Sequence, residues 1–191
     1  MEIPGYVIDK VIGKGGMARV YLAHHKALDR KVAIKVMNRQ QQDDSDYNDR
    51  FIREARIVAN LTHPNIITIH DVGENDGHNY LVMEFLPDSQ TLKDKIKAGV
   101  DSQSALSIIR QVATALKVAH EKNIVHRDIK PDNIMFRTDG SVVLMDFGVA
   151  RSIDASATQM TQAGLIIGTP RYISPEQAKG EEVGPYSDIY S

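Results

Sequence analysis

Three short runs rich in β-branched and aromatic residues open the chain: YVIDKVIG, VYLAHH and KVAIKVM, separated by Gly-containing or charged turns. Backbone groups in such runs must pair with other strands, so the first third of the chain is committed to a sheet. From about Asp43 to Leu61 the period changes, and Phe51, Ala55, Val58 and Leu61 fall on one helical face. IITIHDVG and NYLVMEFL then return to strand character around the turn GENDG. The expected product is a small antiparallel sheet with one helix packed on it, spanning residues 1–86.

After Pro87 the pattern is mostly helical. Asp101 or Ser102 caps a long helix whose apolar positions include Leu106, Ile109, Val112, Ala113, Leu116 and Ala119. Two short strands follow, around IMF and SVVLM, joined by the turn RTDG. Beyond Gly148 about 25 residues carry little periodicity, and so long a loop in a compact domain is functional or disordered. The fold class is therefore α+β, with a hinge near Pro87 to Ser89 and a mostly helical second unit over 87–191.

The strongest chemical signal lies in that second unit. His126-Arg127-Asp128-Ile129-Lys130-Pro131-Asp132-Asn133 is followed by Asp146-Phe147-Gly148 behind the apolar strand VVLM. Asp128, Asn133 and Asp146 supply a proton acceptor and hard oxygen ligands, the groups that magnesium-dependent phosphate chemistry uses. Lys130 adds a cation close to Asp128. Six fixed residues of this octet match by chance with odds of ~10⁻⁸ per start position, so a merely charged surface loop is a poor account of it.

Weaker signals precede it. Gly13-Lys14-Gly15-Gly16 lies between two strand-like segments, where its backbone amides can face phosphate oxygens or simply turn a hairpin. Its place between strands, not before a helix, argues against dinucleotide-binding and Walker-type loops. In KVAIKVM, Ala33 and Lys35 share one face while Val32, Ile34 and Val36 take the other. That face suits a flat base over Ala33 with phosphates near Lys35, or an ordinary strand with a solvated lysine. Glu54 lies on the apolar stripe of its helix, where a carboxylate needs a partner such as Lys35 or an edge position that reaches water.

Composition removes several other functions. With 23 basic and 25 acidic residues, a net charge of -2, no basic excess points to nucleic acid or an anionic membrane surface. The absence of cysteine excludes disulfides, thiolate metal sites and cysteine catalysis. MEIPGYVIDK is no signal peptide, and no apolar run approaches the roughly 20 residues that span a bilayer. The chain reads as soluble and cytoplasmic, without a membrane segment.

Taken in order, the Gly-rich loop, VAIK, HRDIKPDN, DFG, GTPRY and SPE resemble the catalytic domain of a eukaryotic-like serine/threonine protein kinase of the bacterial kind. The likeness runs from Tyr6 to the last residue and implies a two-lobe kinase fold with ATP and Mg²⁺. By that resemblance Gly13, Lys14, Gly15, Gly16, Met17, Ala18, Arg19 and Val20 would cover the ATP phosphates. Ile12, Val20 and Ala33 would pack above the adenine, with Met135 and Leu92 below and Met83 as gatekeeper. The backbone of Glu84 and Leu86 would bind the adenine edge. Lys35, held by Glu54, would bind the α- and β-phosphates, and Lys130 the γ-phosphate. Asn133 and Asp146 would hold two Mg²⁺ ions, and Asp128 would accept the proton of a protein Ser/Thr hydroxyl.

The same resemblance implies regulation. Val58, Ile69, His126 and Phe147 match an apolar stack that ties the helix to the DFG segment. Lys130 together with Thr169 matches the serine/threonine class. Arg127 would pair with a phosphorylated residue between Ser152 and Thr169, with Thr158 and Thr161 ahead of Ser152 and Ser156. Self-association of two copies would serve autophosphorylation.

The third glycine of the loop is Ala18, tolerable if φ is negative there, and Asp88-Ser89-Gln90-Thr91 departs from a shorter Gly-rich turn. The family's domain continues beyond Ser191, so the sequence reads as C-terminally truncated inside the helix that Asp188 begins. On that reading Glu176 lacks its usual arginine, and the helix over Ser102 to Lys122 exposes an apolar face. The competing functional reading is a fragment or pseudokinase that binds nucleotide or a partner without transfer.

Overall fold

The computed structural model describes residues 2–16, 18–38, 45–87, 90–147 and 170–191. They form two compact units. The first takes residues up to Thr62 together with Ile67–Pro87; the second takes His63–Ile66 and the described residues from 90 onward.

The first unit is a five-stranded antiparallel sheet of β1 (Tyr6–Lys14), β2 (Ala18–His25), β3 (Arg30–Met37), β4 (Ile69–Asn75) and β5 (His78–Glu84), in the order β1-β2-β3-β5-β4. The β4–β5 turn is Asp76-Gly77, both left-handed at φ 52° and 70°, the conformation whose twist suits a two-residue hairpin. Val32, Ile34 and Val36 are buried in one cluster with Ile3, Tyr6, Ala23, Tyr80 and Val82. Their neighbours Ala33 and Lys35 therefore look out from the opposite face, as the alternation predicts. In register with them stand Leu22 and Met83 beside Ala33, and Val20 and Leu81 beside Lys35.

Helix α1 (Ser45–Ala59) packs beside β4 and β5, burying Phe51, Ala55 and Val58. Its placement is marked by Asn79 of β5, whose Nδ2 donates to Asn48 Oδ1 of α1 at 2.7 Å. Asn79 shares a face with Leu81 and Met83, so α1 covers the face that carries Lys35.

The second unit holds α2 (Leu92–Ala98), α3 (Ser102–Glu121), a 3₁₀ turn (Pro131–Asn133), the β6–β7 hairpin (Ile134–Phe136 and Val142–Leu144), a second 3₁₀ turn (Pro170–Tyr172), α4 (Pro175–Lys179) and α5 (Pro185–Tyr190). Asp101 caps α3, accepting from the backbone N–H of Gln103 and Ser104. His63–Ile66 joins this unit through a parallel bridge from Ile66 to Leu144 and the bond from Leu144 N–H to Asn65 O at 2.8 Å. The Asn65 amide also donates to Val142 O and to Gln111 Oε1 of α3.

The buried stripe of α3 differs from the expected one. Ile108, Ala115, Leu116 and Ala119 are buried, whereas Leu106, Ile109 and Ala113 are exposed and Val112 is half-buried. The helix is apolar on two sides; it packs against β7 and meets Asp188 through His120, while Leu106 and Ile109 stay exposed. No helix among those residues is long and apolar enough to cross a membrane.

Candidate active site

The loop that leaves α3 carries Arg127, Asp128 and Lys130 of the predicted site. It is pinned from α5 by Asp188, which is 3% exposed. One carboxylate oxygen of Asp188 accepts from His126 N–H and His120 Nε2, and the other from Arg127 N–H, each at 2.8 Å. Arg127 is left-handed at φ 66°, and Asp146 at φ 56°. Each such conformation costs on the order of 1–2 kcal/mol for a residue with a Cβ and persists only where its surroundings hold it.

His126 is wholly buried and bonded at both ring nitrogens. Nε2–H donates to Met145 O at 2.8 Å, and Nδ1 accepts from Asp128 N–H at 3.2 Å. This network requires the neutral Nε2–H tautomer, and burial pushes the imidazole below its ordinary pKa of 6.5. Its ring lies 4.5 Å from that of Phe147, tilted by 46°. One histidine thus joins the strand before Asp146 to the peptide that carries Asp128.

Around Asp128 the polar groups converge. Lys130 Nζ donates to Asp128 Oδ2 at 2.8 Å, with both side chains about four-fifths buried. Asn133, 6% exposed in its 3₁₀ turn, donates through Nδ2 to Asp128 O at 2.8 Å and to Asp128 Oδ2 at 2.9 Å. The Asn133 amide nitrogen is committed to Asp128, which leaves the hard oxygen Oδ1 as the atom suited to a metal. Met145 N–H donates to Asn133 O at 2.8 Å, so the loop and the strand leading to Asp146 are stitched together.

This donor set fits a divalent ion that arrives with phosphate. Mg²⁺ uses one or two protein oxygens and completes its octahedron with phosphate and water. Asn133 Oδ1 and the Asp146 carboxylate are oxygens of the kind such an ion takes. Magnesium's hard-oxygen chemistry therefore suits the residues present.

The remaining predicted site residues that the structure describes fall in the first unit, apart from Met135, in β6 opposite Val143, and Leu92, the first residue of α2. Gly13 faces Val20 and Lys14 faces Arg19 across the β1–β2 hairpin, with Ile12 exposed in β1. The turn is closed by Gly15 N–H to Ala18 O at 2.9 Å, and Gly16 O accepts from Asn38 Nδ2 at 2.7 Å. Ala18 lies in β2 outside the left-handed region, so alanine replaces the third glycine without backbone strain. Lys35 and Glu54 are each half-buried, and Met83 is buried in β5. Glu84 N–H donates to Thr68 O, and Leu86 follows β5. Met17, Gly148, Ser152, Ser156, Thr158, Thr161 and Thr169 lie outside the described residues.

Sequence reasoning missed Gln177. It sits in α4, half-buried, and its Nε2 donates to Arg127 O at 2.8 Å. The only local signal is Ser174-Pro175-Glu176-Gln177, a helix-start pattern that explains one end of the side chain and says nothing of the other.

Comparison with known proteins agrees with this geometry. Residues 6–191 match the family model described as the protein kinase domain. A probable serine/threonine-protein kinase of Streptomyces coelicolor is 43% identical over 192 residues, and the serine/threonine-protein kinase PrkC of Bacillus subtilis is 44% identical over 188. Each alignment covers 97% of this chain and 28% of the relative, so the chain spans under a third of their length. The crystal structure of the PknI kinase domain of Mycobacterium tuberculosis superposes with a TM-score of 0.78 at 30% identity, covering 98% of this chain and 71% of that one. The chain has the protein-kinase fold and belongs to the protein kinase domain family.

Proposed function

We propose that this chain carries the catalytic centre of a serine/threonine protein kinase that transfers the γ-phosphate of ATP, with Mg²⁺, to a Ser or Thr hydroxyl of a protein. The observation that carries the reading is the convergence of Lys130 Nζ and Asn133 Nδ2 on Asp128 Oδ2. Phosphoryl transfer needs little covalent help from the protein, so positioning and charge neutralisation do most of the work.

In this reading Asp128 orients the substrate hydroxyl and accepts its proton. Lys130 moves from its ion pair with Asp128 to the γ-phosphate when nucleotide is present. Asn133 Oδ1 and Asp146 would hold the metal, whose charge would offset that of the phosphate oxygens. Lys35 binds the α- and β-phosphates and is steadied by Glu54, for which the face shared by Lys35 and α1 is the support. The 12–20 hairpin covers the phosphates, while Ala33 and Met83 line the adenine. Glu84 has its N–H engaged by Thr68, so it serves the adenine edge through its carbonyl, next to Leu86.

Residues 1–86 form the nucleotide-binding lobe and 87–191 carry the catalytic and activation loops. The setting is cytoplasmic, and one copy phosphorylates another at Thr158 or Thr161, whose phosphate pairs with Arg127.

The test is Asp128→Ala. Phosphate transfer from ATP to a protein substrate should fall by at least ~10³-fold, while nucleotide affinity stays within about threefold. Near-full transfer by this variant would overturn the assignment.

A further inference from the structure

We infer that Gln177 is a positioning residue for the catalytic loop, acting through the Arg127–Asp128 peptide, an inference that rests on the kinase reading. The two ends of its side chain do different jobs. Oε1 accepts from the N–H and the Oγ–H of Ser174, both at 3.1 Å, and completes the cap of α4. Nε2 reaches out of the helix to the carbonyl of Arg127, fifty residues away in sequence, at 2.8 Å.

That carbonyl belongs to the peptide group whose N–H is the backbone of Asp128. Its N–H edge donates to His126 Nδ1 at 3.2 Å, and its carbonyl edge accepts from Gln177. Arg127 itself is gripped on both sides, by Asp188 at its N–H and Gln177 at its carbonyl. A left-handed residue with a side chain relaxes unless both flanking peptides are fixed. Release of the carbonyl edge would let the peptide rotate and swing the Asp128 side chain away from Lys130 and Asn133. Asp188 cannot prevent this, because it holds only the preceding peptides.

Gln177 also stands three residues after Ser174, which is fully buried. The segment that enters α4 and the peptide before Asp128 are thus joined through one side chain. Displacement of α4 would be felt at Asp128 without any change in the nucleotide-binding residues.

Gln177→Glu separates the two jobs. Glutamate completes the same cap at this position, but it replaces the donor to Arg127 O with a carboxylate that opposes it. In the native protein this variant should keep its thermal midpoint within about 2 °C of wild type. Its kcat for transfer should fall about tenfold or more with KM for ATP within about twofold, the signature of misplaced chemistry with intact nucleotide binding. Amide exchange over His126–Asp128 should quicken about tenfold. Gln177→Met, of similar length but without either polar end, should lose kcat in the same way. A folded Gln177→Glu with wild-type kcat and unchanged exchange would overturn the inference. If wild-type protein transfers no phosphate, the kinase reading fails, and amide exchange then decides the role of Gln177 by itself.

Discussion

At the scale of single residues, His126 and Asp188 hold the loop that carries Asp128, the residue proposed to do the chemistry. His126 is neutral because burial outweighs the pull of the nearby carboxylates of Asp188, Asp128 and Asp146. An unfolded histidine gains a proton near pH ~6.5, whereas this one resists protonation to lower pH. The unfolded state therefore binds more protons below that point, and stability falls as the pH drops from about 6.5. The urea midpoint should be lower at pH 5.5 than at pH 7.5, and His126→Phe should remove that part of the slope. A midpoint that rises on acidification would contradict a neutral, buried His126. The motif HRD was legible in the sequence, but the tautomer was not. It depends on Met145 O, nineteen residues on, and on the Asp128 N–H.

At the scale of elements, the question is how α1 finds its place on the sheet. Phe51, Ala55 and Val58 present an apolar contact, and such contacts fix position less sharply than hydrogen bonds do. Asn48 lies three residues before Phe51 and seven before Ala55, on the same helical face. Its bond to the fully buried Asn79 makes a polar pin in that contact, the kind of device that sets register at some expense in stability. Among the described residues Asn79 Oδ1 has no hydrogen-bond partner, so the pin is not optimised for stability. Asn48→Ala should destabilise by about 1–3 kcal/mol, because it strands the Asn79 amide. Replacement of both by leucine should cost less than either single change, as denaturant titration would show.

The strands of the first unit were legible from alternation because one face of each is buried and the other is not. The working face of α3 was not legible. Leu106, Ile109 and Ile108 are all strongly apolar, yet of the three only Ile108 is buried. A period shows that a helix has an apolar stripe; which stripe is used depends on a neighbour distant in sequence.

For the molecule as a whole, the second unit leaves a good deal of apolar surface in water. Leu106 and Ile109 on α3 are 65% and 63% exposed, and Ile189 and Tyr190 on α5 are 69% and 63% exposed. Patches of this kind associate. The 191-residue chain, at micromolar concentration, should sediment as more than a monomer, and Ile109→Lys with Ile189→Lys should shift it towards 21.2 kDa. Monomeric behaviour of the unmodified chain would show that this surface is tolerated.

The sequence by itself determined the family, the α+β class and the chemical groups, because strand alternation and the HRDIKPDN and DFG spacing are local properties of the chain. It also singled out Asp128, Asn133 and Asp146, whose oxygens suit the proton and metal chemistry proposed for them. Tertiary structure decided what holds them. Asp188 grips His126 and Arg127 from some sixty residues away, His126 ties Asp128 to the strand before Asp146, and Gln177 seizes the carbonyl of a strained arginine. Those contacts join residues that no period or spacing relates, since hydrogen bonds between distant segments exist only once the chain has packed.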